Sequence, residues 1–303
     1  MRWKGRRVSN NIEDRRSGSS KGPKFGGISI LGLVVAFIAW KFFDVDPQQA
    51  YQATQQVAAQ IQPAETQGLE RPTTEQKEAI AFVGTVLADT EDTWSEIFKM
   101  QLGKQYQPPK LVMFNGVVHS GCGTAQSAMG PFYCPTDAKV YIDTSFFKEM
   151  KTQMGISGEK NQTELSRTDQ AGDFAQAYVV AHEIGHHVQN LLGISEQVHQ
   201  AQLKSTKTQA NQLSVRQELQ ADCFAGLWAN KNQQRTQFLE AGDLEEAMDA
   251  AHKIGDDYLQ KSQTGQVVSD SFTHGTSEQR MKWFQIGYQS GQLEACNTFT
   301  QQI

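Results

Sequence analysis

Residues 174–192 read FAQAYVVAHEIGHHVQNLL and are followed by Gly193. Apolar and small side chains recur at helical spacing through this stretch, so it predicts a buried amphipathic helix that ends at the glycine. Within the helix, His182 and His186 are four residues apart. Residues at this spacing lie on one face, about 5–6 Å apart at Cβ. The stretch therefore predicts a helix that presents two imidazoles side by side.

His182, Glu183 and His186 form the pattern H-E-x-x-H, which predicts a zinc site. Both imidazoles can reach one zinc ion at about 2.0–2.1 Å. Glu183 lies about 100° round the helix, where it is expected to act as general base toward a zinc-activated water. The alternative is a structural histidine pair. Gly185 predicts a close approach by another backbone, because glycine costs about 1 kcal/mol relative to alanine within a helix. His187 points away from the shared face and is interpreted as a surface histidine or a support for a ligand.

A second segment supplies the predicted third ligand. Residues 217–226 read QELQADCFAG, inside a pattern that predicts a helix from about 205 to 230. Glu218 and Asp222 are four residues apart and share one face. We expect Glu218 to bind the zinc and Asp222 to accept a hydrogen bond from the free ring nitrogen of a ligating histidine. The alternative is a solvated acidic face, which the apolar neighbours of the pair disfavour.

These motifs resemble those of a known group of zinc peptidases. HEIGHH followed by ELQADCFAG is similar to the gluzincin arrangement, H-E-x-x-H and then E-x-x-x-D. The chain more closely resembles the bacterial "putative neutral zinc metallopeptidase" family along nearly its whole length. The resemblance implies Zn²⁺ as the cofactor, a peptide or protein substrate that it leaves undefined, and a mostly helical α+β gluzincin-like domain with a small sheet. The quoted matches are MRWKGRRVSNNIEDRR, SGCGTAQSAMGPFYCP, KVYIDTSFF, AYVVAHEIGHHVQNLLG, RQELQADCFAG and SFTHGTSEQR.

Near the end of the chain, Thr273, His274 and Arg280 are similar to a Thr-His-x-x-x-x-x-Arg stretch of some membrane gluzincins. The similarity implies that His274 stabilises the oxyanion of the reaction, as preorganised donors do. Arg280 is expected to pair with Asp222 or Glu218. The alternatives are a histidine that caps or stacks in a surface loop and a solvated arginine.

The segment KVYID at 139–143 alternates apolar and polar residues, which predicts a strand. If it is a sheet edge, Val140, Tyr141 and Ile142 form a substrate strand that pairs with an extended peptide. In related gluzincins the strand before the zinc helix has this role. An ordinary interior strand explains the same pattern equally well.

The amino-terminal region predicts a membrane anchor. Residues 1–24 form a basic arm, and residues 25–43, FGGISILGLVVAFIAWKFF, are long enough to span a bilayer. A basic flank before the span predicts a cytoplasmic amino terminus and a catalytic domain outside the bacterial inner membrane. Residues 44–71 are interpreted as a linker and residues 72–303 as a zinc metallopeptidase domain. A cleaved signal peptide is the alternative, although no A-x-A site follows the span.

Charge argues against nucleic acid as a partner. The whole chain has 28 basic and 33 acidic side chains, and the arm contains eight of the basic and two of the acidic ones. The remaining residues therefore have 20 basic and 31 acidic side chains, and a net charge of −11 against −5 for the whole chain. An acidic domain repels phosphate, so we expect no nucleic-acid binding.

The four cysteines fit an oxidising compartment. Cys122 and Cys134 lie at the two ends of a short loop. A disulfide between them would contribute roughly 3 kcal/mol to the stability of the fold on the chain-entropy model. Cys223 then pairs with Cys296 by elimination. Three connectivities are open to four cysteines. Buried reduced thiols are the alternative.

Taken together, the sequence predicts a single-pass, membrane-anchored zinc metallopeptidase, an endopeptidase acting in the periplasm or outside the cell. Two rival hypotheses remain open. One is a zinc-dependent binding or assembly module whose catalysis is vestigial. The other is a zinc amidase acting on cell-wall peptides, because the motif defines metal-assisted hydrolysis better than it defines the bond.

Overall fold

A computed structural model describes residues 1–16, 74–126, 130–143, 145–152, 155–156 and 172–303. These residues form a mostly helical α+β fold with two small sheets, which confirms the predicted fold class in its coarse form. In chain order the strands and helices are β1 Ile12–Asp14, α1 Thr74–Leu102, β2 Lys110–Phe114, β3 Val117–Ser120, β4 Gly123–Gln126, β5 Phe132–Cys134, β6 Lys139–Asp143, α2 Ser145–Thr152, α3 Asp173–Leu191, α4 Ile194–Gln202, α5 Lys207–Thr236, α6 Asp243–Lys253, α7 Asp256–Thr264 and α8 Ser277–Ser290.

The core is built around α3, the helix that carries H-E-x-x-H. Most of its side chains are buried. It packs against α5, which carries Glu218, and against α6. On another side of α5, Gly226 and Gly287 let α5 and α8 meet backbone to backbone, because a Cβ at either position would overlap a main-chain oxygen of the other helix. The zinc-motif helix is therefore held within a tightly packed bundle.

The larger sheet has the strand order β1-β2-β6-β5, and β3 pairs with β4 in a separate hairpin. Strand β6 runs parallel to β2 on one side and antiparallel to β5 on the other. The prediction that Val140, Tyr141 and Ile142 form an edge strand is therefore wrong. Val140 and Tyr141 already pair with a strand on each side, and within the described residues β5 is the edge on that side.

Both predicted disulfides are present, Cys122–Cys134 and Cys223–Cys296. The first joins the β3–β4 turn to the end of β5. The second joins α5 to the carboxyl-terminal tail, five residues after the glycine that ends α8. The tail is thus attached to the helix that carries Glu218.

The amino-terminal arm packs on the domain. The Met1 ammonium donates to Asp173 at 2.8 Å and to Asp243 at 3.2 Å, and Trp3 is buried in the core. Strand β1 pairs with β2 in parallel register. This differs from the sequence interpretation, in which residues 1–24 lie apart from the domain across a membrane.

The basic side chains of the arm explain the difference. Arg6 contacts Asp89 at 2.6 Å, and Arg7 contacts Glu91 at 2.8 Å and Asp92 at 2.6 Å, all three carboxylates belonging to α1. A charge pattern that resembles a topology signal is therefore neutralised within the fold. None of the described helices is long and apolar enough to cross a membrane. The predicted span at 25–43 and the linker at 44–71 lie outside the described residues.

Candidate metal centre

The closest approach of α3 and α5 brings the predicted ligands together. A Cβ added at Gly185 would lie 3.0 Å from both the Cα and the carbonyl oxygen of Ala221. The helices can approach this closely because the side chain is missing. This contact confirms the close backbone approach predicted from the glycine, and it places His182 and His186 opposite Glu218.

The three predicted donors converge on one point. Glu218 Oε2 lies 3.2 Å from His182 Nε2, and its Oε1 lies 3.4 Å from His186 Nε2. The donor atoms of the three residues all lie within 4.8 Å of one another. Donors at tetrahedral corners, each about 2.0–2.1 Å from a zinc ion, are about 3.3–3.4 Å apart. The observed spacings therefore fit a zinc ion.

Asp222 supports His182. Its Oδ1 accepts a hydrogen bond of 2.8 Å from His182 Nδ1 and one of 2.5 Å from the Tyr178 hydroxyl. Arg280 donates to both oxygens of the same carboxylate at 2.9 Å. Burial opposes ionisation, but Arg280 and His182 lower the pKa of Asp222 to about 2. An ionised Asp222 accepts a hydrogen bond from the Nδ1–H group of His182, so the lone pair of the neutral ring is on Nε2.

His186 has a different support, which the sequence did not reveal. Its Nδ1 lies 2.9 Å from the side-chain oxygen of Gln189, one turn further along α3. Gln189 is fully buried. A buried glutamine three residues after a predicted ligand is a weak signal on its own, since its partner depends on how the helices pack.

The electrostatics of the centre favour a cation. Burial lowers the pKa of His182, but Asp222 and Glu218 outweigh it and raise that pKa to about 10. The pKa of His186 is also raised, since Glu218 again outweighs burial. The two histidines in turn hold the pKa of Glu218 well below its usual range, against the effect of burial. The carboxylates of Glu218 and Asp222 therefore stabilise positive charge where the donors meet.

Glu183 and His274 are the two predicted catalytic side chains. Glu183 is 8% exposed, and its carboxylate makes no hydrogen bond to the described residues. His274 precedes α8, and its ring is half exposed. Asp256 accepts from its Nδ1 at 3.2 Å and from its main-chain N–H at 2.6 Å. Burial lowers the pKa of His274, but Asp256 and the nearby charge of Glu218 raise it.

His187 is buried, so the surface interpretation of this residue is wrong. Its ring contacts the Gln107 carbonyl at 2.7 Å and the Tyr133 hydroxyl at 3.1 Å. Burial lowers its pKa to about 4, so the ring is neutral at physiological pH. Tyr133 belongs to the edge strand β5 and also accepts from Asn190 at 3.0 Å. These contacts attach the edge strand to the carboxyl-terminal half of α3.

In this mostly helical domain, a glutamate from a second helix lies opposite the H-E-x-x-H histidine pair. The chain belongs to the family described as "putative neutral zinc metallopeptidase", whose sequence profile matches residues 1–299. It is similar to the uncharacterized protein YpfJ of Escherichia coli, with 48% identity over the full length of both chains. It is also similar to the uncharacterized protein Rv2575 of Mycobacterium tuberculosis, with 42% identity over 64% of each chain. No solved structure matches the chain.

Proposed function

We propose that this protein is a zinc-dependent peptidase that hydrolyses peptide bonds within polypeptides. The observation that carries the proposal is the convergence of His182, His186 and Glu218. Both histidines use Nδ1 for a hydrogen bond inside the protein, so both Nε2 atoms are left facing the two oxygens of Glu218. This donor set suits zinc, which takes nitrogen and carboxylate oxygen ligands.

Each side chain then has one task. Zinc, when bound, acts as a Lewis acid and makes a water acidic enough to lose a proton near neutral pH. Glu183 accepts that proton as the water oxygen bonds to the carbonyl carbon of the peptide, and it passes the proton to the amine that leaves when the C–N bond breaks. His274, held by Asp256, donates a hydrogen bond to the oxygen on which negative charge develops. Asp222, with Tyr178 and Arg280 around it, keeps the His182 ring in place.

The edge of the sheet supplies a place for the substrate. Strand β6 is interior, so an extended peptide cannot pair with it. No other strand in the described part of the chain pairs with the outer side of β5, and Tyr133 of β5 is hydrogen-bonded to His187 and Asn190 on α3. We therefore assign main-chain pairing of the substrate to β5, which carries out the role first expected of β6.

Substitution of Glu183, the proposed general base, tests the proposed function. Wild-type protein, Glu183→Gln and Glu196→Gln are incubated with a peptide library, and cleavage is followed by mass spectrometry alongside the zinc content of each protein. Glu196 is an exposed glutamate of α4 and serves as the matched control. We expect wild type and Glu196→Gln to cleave and Glu183→Gln to bind zinc without cleaving.

Three results would contradict the proposal. Cleavage by Glu183→Gln at the wild-type rate would remove Glu183 from the mechanism. A wild-type protein that binds zinc tightly and cleaves no peptide would favour the binding or assembly module. Cleavage confined to cell-wall muropeptides would instead identify the amidase.

We also propose a location outside the cytoplasm, with the arm and the domain on the same side of any membrane. Two disulfides support an oxidising compartment. The pairing of β1 with β2 and the contacts of Arg6 and Met1 support a shared side, because a segment that pairs in the sheet cannot be separated from it by a bilayer. This replaces the orientation with a cytoplasmic arm.

Single cysteines placed at two exposed positions, Asn10→Cys on the arm and Lys207→Cys on the domain, test this location. Spheroplasts are treated with a membrane-impermeant maleimide. The native cysteines do not react, since all four are in disulfides. Equal labelling at both positions is expected. Labelling at Lys207→Cys alone would support the predicted orientation, in which the membrane separates the arm from the domain. Labelling at neither position would support a domain in the cytoplasm.

A further inference from the structure

A chain of buried amides runs from His186 to the disulfide of the carboxyl-terminal tail. Gln189 accepts from His186 Nδ1 at 2.9 Å. Gln189 Nε2 donates to Gln220 Oε1 at 3.1 Å, and Gln220 Nε2 donates to the Cys296 carbonyl at 3.0 Å. Cys296 forms the disulfide with Cys223. The two glutamines and the two cysteines are each at most 5% exposed.

The direction of every hydrogen bond in this chain follows from its last acceptor, the Cys296 carbonyl. A backbone carbonyl can only accept, so the Cys296 carbonyl requires the Gln220 amide nitrogen. Gln220 then presents its oxygen to Gln189, which must present its own nitrogen in return. The oxygen of Gln189 is left facing His186, and it can bond to Nδ1 only if Nδ1 carries the proton.

A second contact makes the orientation of Gln189 unique. Its Nε2 also donates to the Gln217 carbonyl at 2.6 Å, so both amide hydrogens are used on acceptors. Flipping this amide would place its oxygen against two other oxygens. Buried polar groups without partners are strongly disfavoured, so the flip is excluded. The tautomer of His186 is thereby defined, with its lone pair on Nε2.

The two histidines therefore have different supports. His182 is held by the charge of Asp222 and Arg280, whereas His186 is held by a neutral relay that ends at a carbonyl of the tail. Outer partners that fix the tautomer of a ligating histidine strengthen metal binding, typically 10–100-fold. A neutral relay depends on the positions of its acceptors, the Gln217 and Cys296 carbonyls, because no net charge holds it together.

We propose that Gln189 and Gln220 are positioning residues for the second histidine ligand, and that the Cys223–Cys296 disulfide anchors their relay. Loss of this disulfide then weakens metal binding, which links the oxidation state of the tail to the occupancy of the site. The proposal rests on the proposed function, because it takes His186 to be a zinc ligand.

The variants Gln189→Leu and Gln220→Leu test the relay. Asn232→Leu is the matched control, since Asn232 is a fully buried amide of the same helix that lies about 18 Å along it from Gln220 at 1.5 Å per residue. Zinc affinity is measured by chelator competition, and the visible spectrum of the Co²⁺ form reports the ligand set. We expect both relay variants to lose about 10–100-fold in zinc affinity and to change the Co²⁺ spectrum. Asn232→Leu should lower the stability and leave both metal readouts unchanged.

Replacing both cysteines of a disulfide with alanine tests the anchor. The Cys223→Ala/Cys296→Ala protein should bind zinc more weakly than wild type, by a smaller factor than Gln220→Leu, because Thr298 and Arg216 still hold the tail through two hydrogen bonds. Cys122→Ala/Cys134→Ala removes the other disulfide and should retain wild-type zinc affinity. Circular dichroism confirms that each protein is folded under the assay conditions.

The outcomes separate the relay from the site itself. If His186→Ala binds zinc as wild type does, the proposed function and the relay both fail. If His186→Ala loses zinc but Gln189→Leu and Gln220→Leu retain wild-type affinity and spectrum, the relay is overturned while the metal site stands. Equal losses in the two disulfide variants would overturn the anchoring role of Cys223–Cys296.

Discussion

Gly185 and Ala221 define the separation of the two ligand-bearing helices. A Cβ on Gly185 would lie 3.0 Å from the Cα and the carbonyl oxygen of Ala221, both of which are backbone atoms. A methyl group at this point forces α3 and α5 apart. Glu218 is three residues before Ala221, so any such shift moves the carboxylate away from the histidines.

The first prediction concerns this contact. Gly185→Ala gains about 1 kcal/mol of helix propensity, but overpacking of a close contact costs about 1–3 kcal/mol. We expect a small net loss of stability and a clear loss of zinc affinity, measured by urea unfolding and chelator competition. Adding Ala221→Gly removes only the Cβ contact at 3.2 Å and should not restore binding. Wild-type zinc affinity in Gly185→Ala would show that the helices tolerate a wider spacing.

A second prediction concerns Asp222. Asp222→Asn removes the charge that pairs with Arg280, which is only 3% exposed. Breaking a buried pair by removing one partner costs about 3–5 kcal/mol, and loss of the partner of a ligating histidine lowers metal affinity about 10–100-fold. Asp249→Asn, which loses only a half-exposed pair with Lys253, is the control. Urea unfolding and zinc competition measure both effects, and a change in neither would argue against the assigned role.

A third prediction separates catalysis from metal binding at His274. His274→Ala removes a donor expected to act on developing negative charge, so kcat/KM should fall about 10²–10³-fold. Zinc content should stay near that of wild type, since His274 is not among the three donors. His199→Ala, an exposed histidine of α4, should leave both unchanged. Parallel loss of zinc and activity in His274→Ala would instead make His274 part of the metal site.

A fourth prediction is a pH dependence of zinc binding. The pKa of His182 in the metal-free protein is raised to about 10, so the ring is protonated below that pH and zinc must displace the proton. Apparent zinc affinity should therefore fall as pH falls, by about tenfold per unit for each proton released. Chelator competition between pH 6 and 9, with calorimetry in buffers of different ionisation enthalpy, counts the protons. A pH-independent affinity would show that both histidines are already neutral.

A fifth prediction concerns the arm. Burial raises the pKa of Asp89 to about 6, although Arg6 opposes the rise. A carboxyl whose folded pKa is raised contributes stability below its unfolded pKa of about 4, and that contribution is lost as pH rises through about 6. Arg6→Met removes the main counter-charge, so its destabilisation should be larger at pH 8 than at pH 5. Unfolding in urea at the two pH values measures the difference, and an equal loss at both would mean that Arg6 and Asp89 are not coupled.

The two pairs of candidate metal-site residues could be predicted from the sequence because the spacing within each pair is local. His182 and His186, and likewise Glu218 and Asp222, share faces that follow from helix periodicity alone. The amides of Gln189 and Gln220 could not be predicted, because each depends on which side chain faces it after α3 and α5 pack. The chain is rich in glutamine, so nothing in the sequence distinguishes these two glutamines from the others.

The prediction of the sheet edge was wrong, and the contacts of the arm could not be predicted, for physical reasons. The edge is formed by β5, a strand of three residues that is too short for an alternating pattern to reveal. The arginines of the arm have the same pattern whether they face lipid phosphate or the carboxylates of Asp89 and Glu91. Only the folded arrangement shows which partner each arginine has.

The pairing of β1 with β2 also has a consequence for the order of events during synthesis. Residues 12–14 are made almost one hundred residues before their partners at 111–113. The Met1 ammonium meets Asp243 only after most of the chain exists. Contacts this distant in sequence form slowly, because a long loop must close before they contribute. Residues 1–14 thus leave the ribosome well before the partners they contact and are among the last to reach their final positions, so a factor that holds the nascent arm would delay completion of the fold.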